Sequence, residues 1–517
     1  MALIPEYHSL SNTALAVYGV GAYVLYRIIL SVYLIFFHPL AKFPGPRTWA
    51  VSRIPWAHHI IKGDIWKVLD QLHLQYGPVV RIAPDEITTI SPDAWKDLYV
   101  TKPLLPKDPY SQTPPLNGAH SLFTAADDTH KRIRGAIVNA FSDKALRNQS
   151  PIIEHHATRL VERIHREQAR SPDGVINLQK LFGYATFDTI TDLSFGESFD
   201  GLEGDKTGQE NAMIQNFFFH AKFSTIRNCL TRFAPLDIFL GLFLLGKTRA
   251  SRTRNWKNAV DKIERRLAKG DVRDDFLTPV VGRIDETGKK GITSKELTTN
   301  GLAFVIADCQ LTTVALAHAT YFLLKDSEQW QRLAKEVRGR FAKGEEITVQ
   351  STQGMVYLEA VINETMRIRH PTPISLPRVL PREGRVVGGV YVPGNTVVGI
   401  NLQNIQTSPT LWVEPRGFHP ERFLSREDGG RYYEERFEGD VKEAFMPFST
   451  GTRNCIGSKV FLAQARVFLA RLVWTFELEL QDSGQVDWLD QKAFLVFEPK
   501  PLFVSPTPRS SSSISRG

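Results

Sequence analysis

The chain has 517 residues, 42% hydrophobic and 23% charged, with a formal net charge of +8. That is ample for a large packed core and longer than one average domain; its three widely spaced cysteines (Cys229, Cys309, Cys455) exclude a disulfide framework and fit a reducing compartment. The positive balance suits an anionic membrane surface or an acidic protein, while no helix-turn-helix, zinc-finger or RNP-like stretch supports nucleic acid.

Residues 1–12 are a short tail carrying Glu6, and residues 13–37 are apolar apart from Arg27. About 20 such residues cross a bilayer. The run is too long for a signal-peptide core, and no small-residue cleavage site follows. A transmembrane anchor is therefore expected in preference to a buried helix. Residues 38–50, which hold Pro39, Pro44 and Pro46, read as a stiff hinge. Lys42, Arg47 and Arg53 follow the span, so the positive-inside rule leaves the tail lumenal and the body, residues 51–504, cytosolic. The sequons at Asn148 and Asn363 would then stay free of glycan.

Short β-rich runs over 76–90 predict a small sheet. Residues 102–120 hold five prolines, a long loop of the kind that covers a site. His130 and Arg134, at i and i+4, share one helical face. Two donors there suit either an anion or a solvated basic face, and spacing does not choose between them. Residues 176–202 and 211–246 read as helical. Phe217, Phe218, Phe219, Phe223 and the apolar run 233–245 suit either plain core or a lid over a pocket. The basic run Arg249, Arg252, Arg254, Lys257, Lys262, Arg265, Arg266 reads as a solvated helix face.

Thr293-Ser294-Lys295-Glu296 is a capping box. The helix after it, 302–324, is apolar all round and so belongs in a core; Asp308, Gln310, Thr312, Thr313 and His318 argue against a second span. A helix over 355–369 places Glu364 and Arg367 at i,i+3, a spacing common in weak surface pairs. Residues 371–378 are proline-broken, 385–400 read as strands with tight turns, and 494–497 end a late hairpin. The Ser/Pro-rich end, 505–517, is expected to be disordered.

The most informative stretch is 445–457, Phe-Met-Pro-Phe-Ser-Thr-Gly-Thr-Arg-Asn-Cys-Ile-Gly. Cys455 stands between Gly451 and Gly457, just before an apolar helical pattern. Helix N-terminal N–H groups, with Arg453 adding positive charge, would lower its pKa. A lone cysteine makes a poor structural zinc site. It suits a single axial bond to haem iron, against the alternative of an inert buried thiol. The glycines would let the backbone approach a flat group, and Phe448 would cover the sulfur. The stretch from Gly451 to Lys459 is not a phosphate loop, since its glycine spacing is wrong.

Phe448, Gly451, Arg453, Cys455 and Gly457 match the FxxGxRxCxG loop of the cytochrome P450 family at every fixed position. Glu364-x-x-Arg367 and the Pro420-Glu421-Arg422-Phe423 segment agree with it in order and spacing. The chain resembles fungal microsomal members involved in secondary metabolism. The resemblance implies a mainly α fold with a small β region behind one N-terminal transmembrane helix, in the endoplasmic-reticulum membrane. It implies haem b with Cys455 as the axial ligand, and O2 as co-substrate. Electrons would come from NADPH through a flavoprotein reductase, with cytochrome b5 a candidate second donor, because no flavin- or nicotinamide-binding sequence is present. His130, Arg134, Arg378 and Arg453 would neutralise the propionates, and Glu364, Arg367 and Arg422 would form a buried triad under the cysteine loop. Ala307, Leu311, Ile374, Leu376 and Phe494 would line a pocket for a small apolar substrate. Lys131, Arg132 and Lys459 would meet the reductase, and a monomer is expected.

One departure bears on chemistry. The family's central helix usually carries Gly, a variable residue, an acid, then Thr. Here those positions read Asp308, Cys309, Gln310 and Leu311, followed by Thr312. Leu cannot donate a proton and Gln is no acid. Proton delivery by Asp308, Gln310 or Thr312, oxidative coupling, desaturation or rearrangement without oxygen insertion, and a haem carrier without turnover all follow as alternatives.

Overall fold

The computed structural model describes residues 11–112, 114–116, 118–203, 209–233, 256–269, 273–481 and 487–509. The first helix, Asn12–Val32, is capped by Ser11, whose side chain accepts from the Ala14 N–H, and runs into a π-helical turn, Tyr33–Phe37. Together they span 26 residues, or about 39 Å at 1.5 Å per residue, enough to cross a hydrocarbon layer of about 30 Å. Val17, Tyr18, Val20 and Tyr23 are among many large apolar side chains left exposed along it, which marks a surface made for lipid or a partner.

The segment read as a hinge, 38–50, is packed onto the body: Leu40, Phe43, Trp49 and Ala50 are buried. Strand β1 (Val79–Ala83) pairs antiparallel with β2 (Glu86–Thr89), as the run over 76–90 predicted. A two-residue strand, β3 (Ile176–Asn177), precedes the helix Leu178–Phe195, so the first helical prediction began two residues early. β4 (Arg378–Val379), the hairpin β5 (Arg385–Val387) and β6 (Val390–Val392), and β7 (Val397–Ile400) follow. β4 and β7 join β1 and β2 in a four-stranded sheet of order β1-β2-β7-β4, with β2 and β7 parallel, while β5 and β6 pair only with each other.

The chain ends in β8 (Phe476–Leu480) and β9 (Phe503–Pro508), which pair antiparallel from Phe476↔Pro508 to Leu480↔Val504. This corrects the tail boundary. Residues 505–508 are strand, because alternate residues Val504 and Pro506 turn inward, and sheet pairing outweighs a polar composition. Residues 510–517 lie outside the described residues.

The body is organised around one central helix, Ser294–Lys325. Its capping box is complete: Thr293 Oγ1 accepts from the Glu296 N–H at 3.2 Å, and Glu296 Oε2 accepts from the Thr293 N–H at 3.0 Å. Most of the helix is buried, against Leu178–Phe195 on one side and the helices Val356–Ile368 and Ser458–Thr475 on the other. Gly301 permits the closest approach; a Cβ there would stand 2.9 Å from the Phe195 ring. The helix Gln209–Leu230 carries the phenylalanines of the expected lid. Phe219 is exposed and stacks with Phe223 at 6.2 Å. The expected continuation over 234–245, with Arg249, Arg252 and Arg254, lies outside the described residues.

Candidate active site

Cys455 ends a loop whose shape is fixed by backbone constraints. Its N–H donates to Phe448 O at 2.9 Å, and His370 Nε2 contacts Pro447 O at 2.9 Å. Gly451 has a φ of +78°, and a Cβ there would stand 2.1 Å from Tyr99 O. The need for glycine at 451 is therefore set by the Tyr99 backbone, not by a flat ligand. At Gly457, by contrast, a Cβ would meet nothing within 4 Å, which leaves room for a ring to approach. Phe448 packs edge-on against Phe461 at 5.6 Å.

The sulfur is flanked by the N–H groups of Gly457 and Ser458, at the start of the helix Ser458–Thr475, and by the positive charge of Arg134. These stabilise a thiolate as expected, but burial outweighs them and holds the thiol above its ordinary pKa. The nearby cation is Arg134 rather than Arg453. The side chain is nonetheless exposed. An accessible thiol can be reached by a metal, which would remove its proton on binding.

Five nitrogen side chains gather beside this loop. Arg453 donates to Asp127 Oδ1 at 2.6 Å and to Ala125 O. Arg378 is buried on β4, its guanidinium 5.3 Å from the Tyr99 ring. His130 is buried on the helix Asp127–Ile137, where burial, then Arg453, Arg134 and Lys107, push its pKa down to about 4. Lys107, absent from the sequence reading, donates to Phe123 O at 2.7 Å; burial, Arg453 and Arg378 push it down to about 7. Among the described residues Asp127 is the only carboxylate that acts on both. Such mutual repulsion fits a site for two carboxylates. Arg134 differs from the expectation: its guanidinium is committed to Asn454 O at 2.9 Å and Asn454 Oδ1 at 2.7 Å, which straps the cysteine loop to the helix.

Glu364, Arg367 and Arg422 have fully buried side chains. Arg367 donates to Glu364 at 2.7 and 2.8 Å, Arg422 donates to it at 3.1 Å, and the His419 N–H adds 2.9 Å. Asp440, missed in the sequence, pairs with Arg422 and completes the cluster. Four charges, two of each sign, are thus compensated out of water.

On the central helix, Ala303, Phe304, Ile306, Ala307, Asp308 and Leu311 share a partly open face. Asp308 accepts from Gln464 Nε2 at 3.0 and 2.9 Å and from Thr312 Oγ1 at 3.3 Å. Burial raises its pKa to about 7, and its charge acts on Cys455. Gln310, three residues after Ala307 on the same side of the helix, is only 1% exposed, and its amide has no partner among the described residues. Ile374 and Leu376 are half-buried in the extended segment, with Leu376 O accepting from the Tyr99 hydroxyl at 2.8 Å. Phe494 is buried against Gly63 and beneath Lys222, 4.7 Å from its ring, so it joins the phenylalanine-rich helix to the N-terminal body. Of the expected docking cations, Lys131 is exposed, Lys459 pairs with Asp143 at 2.7 Å, and Arg132 is engaged by Glu296 at 2.6 and 2.9 Å. Arg132 is therefore a strut of the capping box and is not free for docking.

The Cytochrome P450 family model matches residues 43–506. A cytochrome P450 monooxygenase designated lcsI from Purpureocillium lilacinum is 35% identical over 489 residues, covering 93% of this chain and 92% of its own. Averantin hydroxylase of Dothistroma septosporum is 34% identical, covering 95% and 91% respectively. Versicolorin B desaturase stcL of Emericella nidulans is 33% identical, covering 96% and 98%.

Proposed function

The chain belongs to the cytochrome P450 family of haem-thiolate monooxygenases, and from that premise we propose that it oxidises an apolar secondary-metabolite intermediate at the endoplasmic-reticulum membrane, with NADPH electrons delivered by a partner flavoprotein reductase. The observation that carries the reading is Cys455, accessible in its loop beside a cluster of mutually repelling cations. When bound there, haem with a thiolate ligand supplies O2 activation, the sulfur pushing electron density toward O–O cleavage. Cys455 would hold the iron, Gly457 would leave the ring its clearance, and Arg378, Arg453, Lys107 and His130 would face the propionates. Arg134 supports the loop through Asn454.

Proton handling falls to Asp308. It stands on the open face, carries an exchangeable proton near neutrality, and touches Thr312, whereas Leu311 offers no hydrogen-bonding atom. Gln310 is buried and its amide is no acid, so it has no part in this reading. The phenylalanine-rich helix and the half-buried Ile374 and Leu376 suit a polyketide, terpenoid or amino-acid-derived substrate. Reductase docking would use Lys131, Lys459 and the exposed Lys144 and Arg147; charge reversal there should weaken coupling to the reductase.

Leu311 at the alcohol position favours a second reading, oxidation without oxygen insertion, and one relative is named a desaturase. Reconstitution with reductase and a panel of such intermediates under labelled dioxygen separates the readings. Label in the product means oxygen insertion, whereas an unlabelled product lacking two hydrogens means desaturation. Failure of every intermediate to stimulate NADPH consumption would contradict both and favour a haem carrier.

A further inference from the structure

Arg81, on β1, is only 2% exposed. A buried guanidinium ordinarily meets a carboxylate. Among the described residues no carboxylate forms an ion pair with this one; Asp85 acts on it only through space. Its N–H groups are instead divided between its own turn and the chain that leaves the N-terminal helix. Nη1 donates to Leu34 O at 2.8 Å, and Nη2 donates to Pro84 O at 2.7 Å and reaches His38 Nδ1 at 3.4 Å. Nε donates to Ala83 O at 3.3 Å. Leu34 lies in the last, π-helical turn of that helix. Terminal carbonyls there lack intrahelical partners and carry the negative end of the helix dipole, so a buried cation is well placed to cap them.

The main chain of the same residue grips the other end of the connection. Arg81 N–H donates to Pro44 O at 2.7 Å, and Gly45 lies so close that a Cβ would stand 2.3 Å from Arg81 O. Between these points His38 Nδ1 accepts from the Leu40 N–H at 3.1 Å, and Leu34, Leu40 and Phe43 are buried. One strand residue thus holds the connecting segment at both ends.

We propose that Arg81 is a clamp that makes the membrane helix and the catalytic body one rigid unit and holds the body at a fixed tilt over the bilayer. The inference rests on residues 12–37 acting as an anchor and is independent of the chemistry assigned to Cys455. A free connection of 13 residues (38–50) would wander by about 20 Å; the clamped one does not.

The test uses the full-length holoprotein in lipid nanodiscs, with encoded spin labels replacing exposed Tyr26 and Gln71. The parent protein should give one narrow distance distribution. Arg81→Gln should spread it over a range on the order of 10–20 Å, while a near-ultraviolet circular dichroism spectrum like the parent's shows that the body remains intact. Gly45→Ala, which leaves the Arg81 side chain in place but pushes the segment off β1, should broaden it likewise and carries the test if Arg81→Gln fails to fold. A parent distribution already broad, or broadening in neither variant, overturns the proposal.

Discussion

Replacing Asp308 by Asn keeps the shape of the side chain and an oxygen to accept from Gln464 and Thr312, but removes its exchangeable proton. Burial displaces the Asp308 pKa from 3.8 to about 7. At 1.36 kcal/mol per tenfold change in acidity, that displacement is worth at most about 4 kcal/mol. The sign follows from linkage. Between pH 4 and 7 the folded protein holds more protons at this site than the unfolded chain, so stability falls as pH rises through that window. The penalty is complete above pH 7 and absent below pH 4. Asn carries no charge, so Asp308→Asn should be more stable than the parent by about 1–3 kcal/mol at pH 8 and equal to it at pH 4. Activity should move the other way. Loss of a positioned general acid typically costs about 10²–10⁴-fold; product formed per NADPH should collapse, peroxide should rise, and the parent's decline in rate above pH 7 should be missing in the variant. The assays are denaturant unfolding at pH 4 and pH 8 and coupled turnover between pH 6 and 9. A variant with parental coupling, or a stability difference flat with pH, would refute the assignment.

Other substitutions test the scaffold and the propionate site. Glu364→Gln leaves Arg367 and Arg422 with only Asp440 and backbone carbonyls as compensation, and should destabilise the fold by about 3–5 kcal/mol in denaturant unfolding. Gly451→Ala must hold a left-handed φ and push Tyr99 O away; the strain, at least about 1–3 kcal/mol, should appear as faster haem loss to an acceptor protein. Lys107 titrates near 7 instead of 10.5, so the cofactor-free protein should gain stability as pH rises from 7 to 10.5, where the unfolded chain holds the extra proton. Haem carboxylates would restore its charge. Calorimetry in buffers of different ionisation enthalpy should therefore record proton uptake on haem binding at pH 8–9, and Lys107→Gln should abolish most of it.

What could be read from the sequence was whatever is written locally. The apolar run over 13–37, the capping box at Thr293 and the loop around Cys455 each declare themselves locally in the sequence. Contacts across the fold did not. Asp440 joins the Glu364 cluster from 18 residues beyond Arg422, Gln464 meets Asp308 across 156 residues, and Lys107 gains its meaning only when folding brings it beside Arg378 and Arg453. Arg132 looked like a free surface cation because nothing in its neighbourhood reveals Glu296, 164 positions away. Residues 38–50 looked like a hinge because prolines mark stiffness locally, while the strand that grips them is named only by tertiary structure. The thiol of Cys455 shows the same limit: the N–H donors were legible, but the cation that acts on it, Arg134 in place of Arg453, and the burial that outweighs both were not.

The account depends most on Cys455 binding iron as a thiolate. The reduced, carbon-monoxide-bound protein should show the red-shifted Soret band of thiolate ligation, and Cys455→Ala should lose that band even where haem is retained. A parent protein without the band, or a Cys455→Ala protein that keeps it, would contradict the central claim.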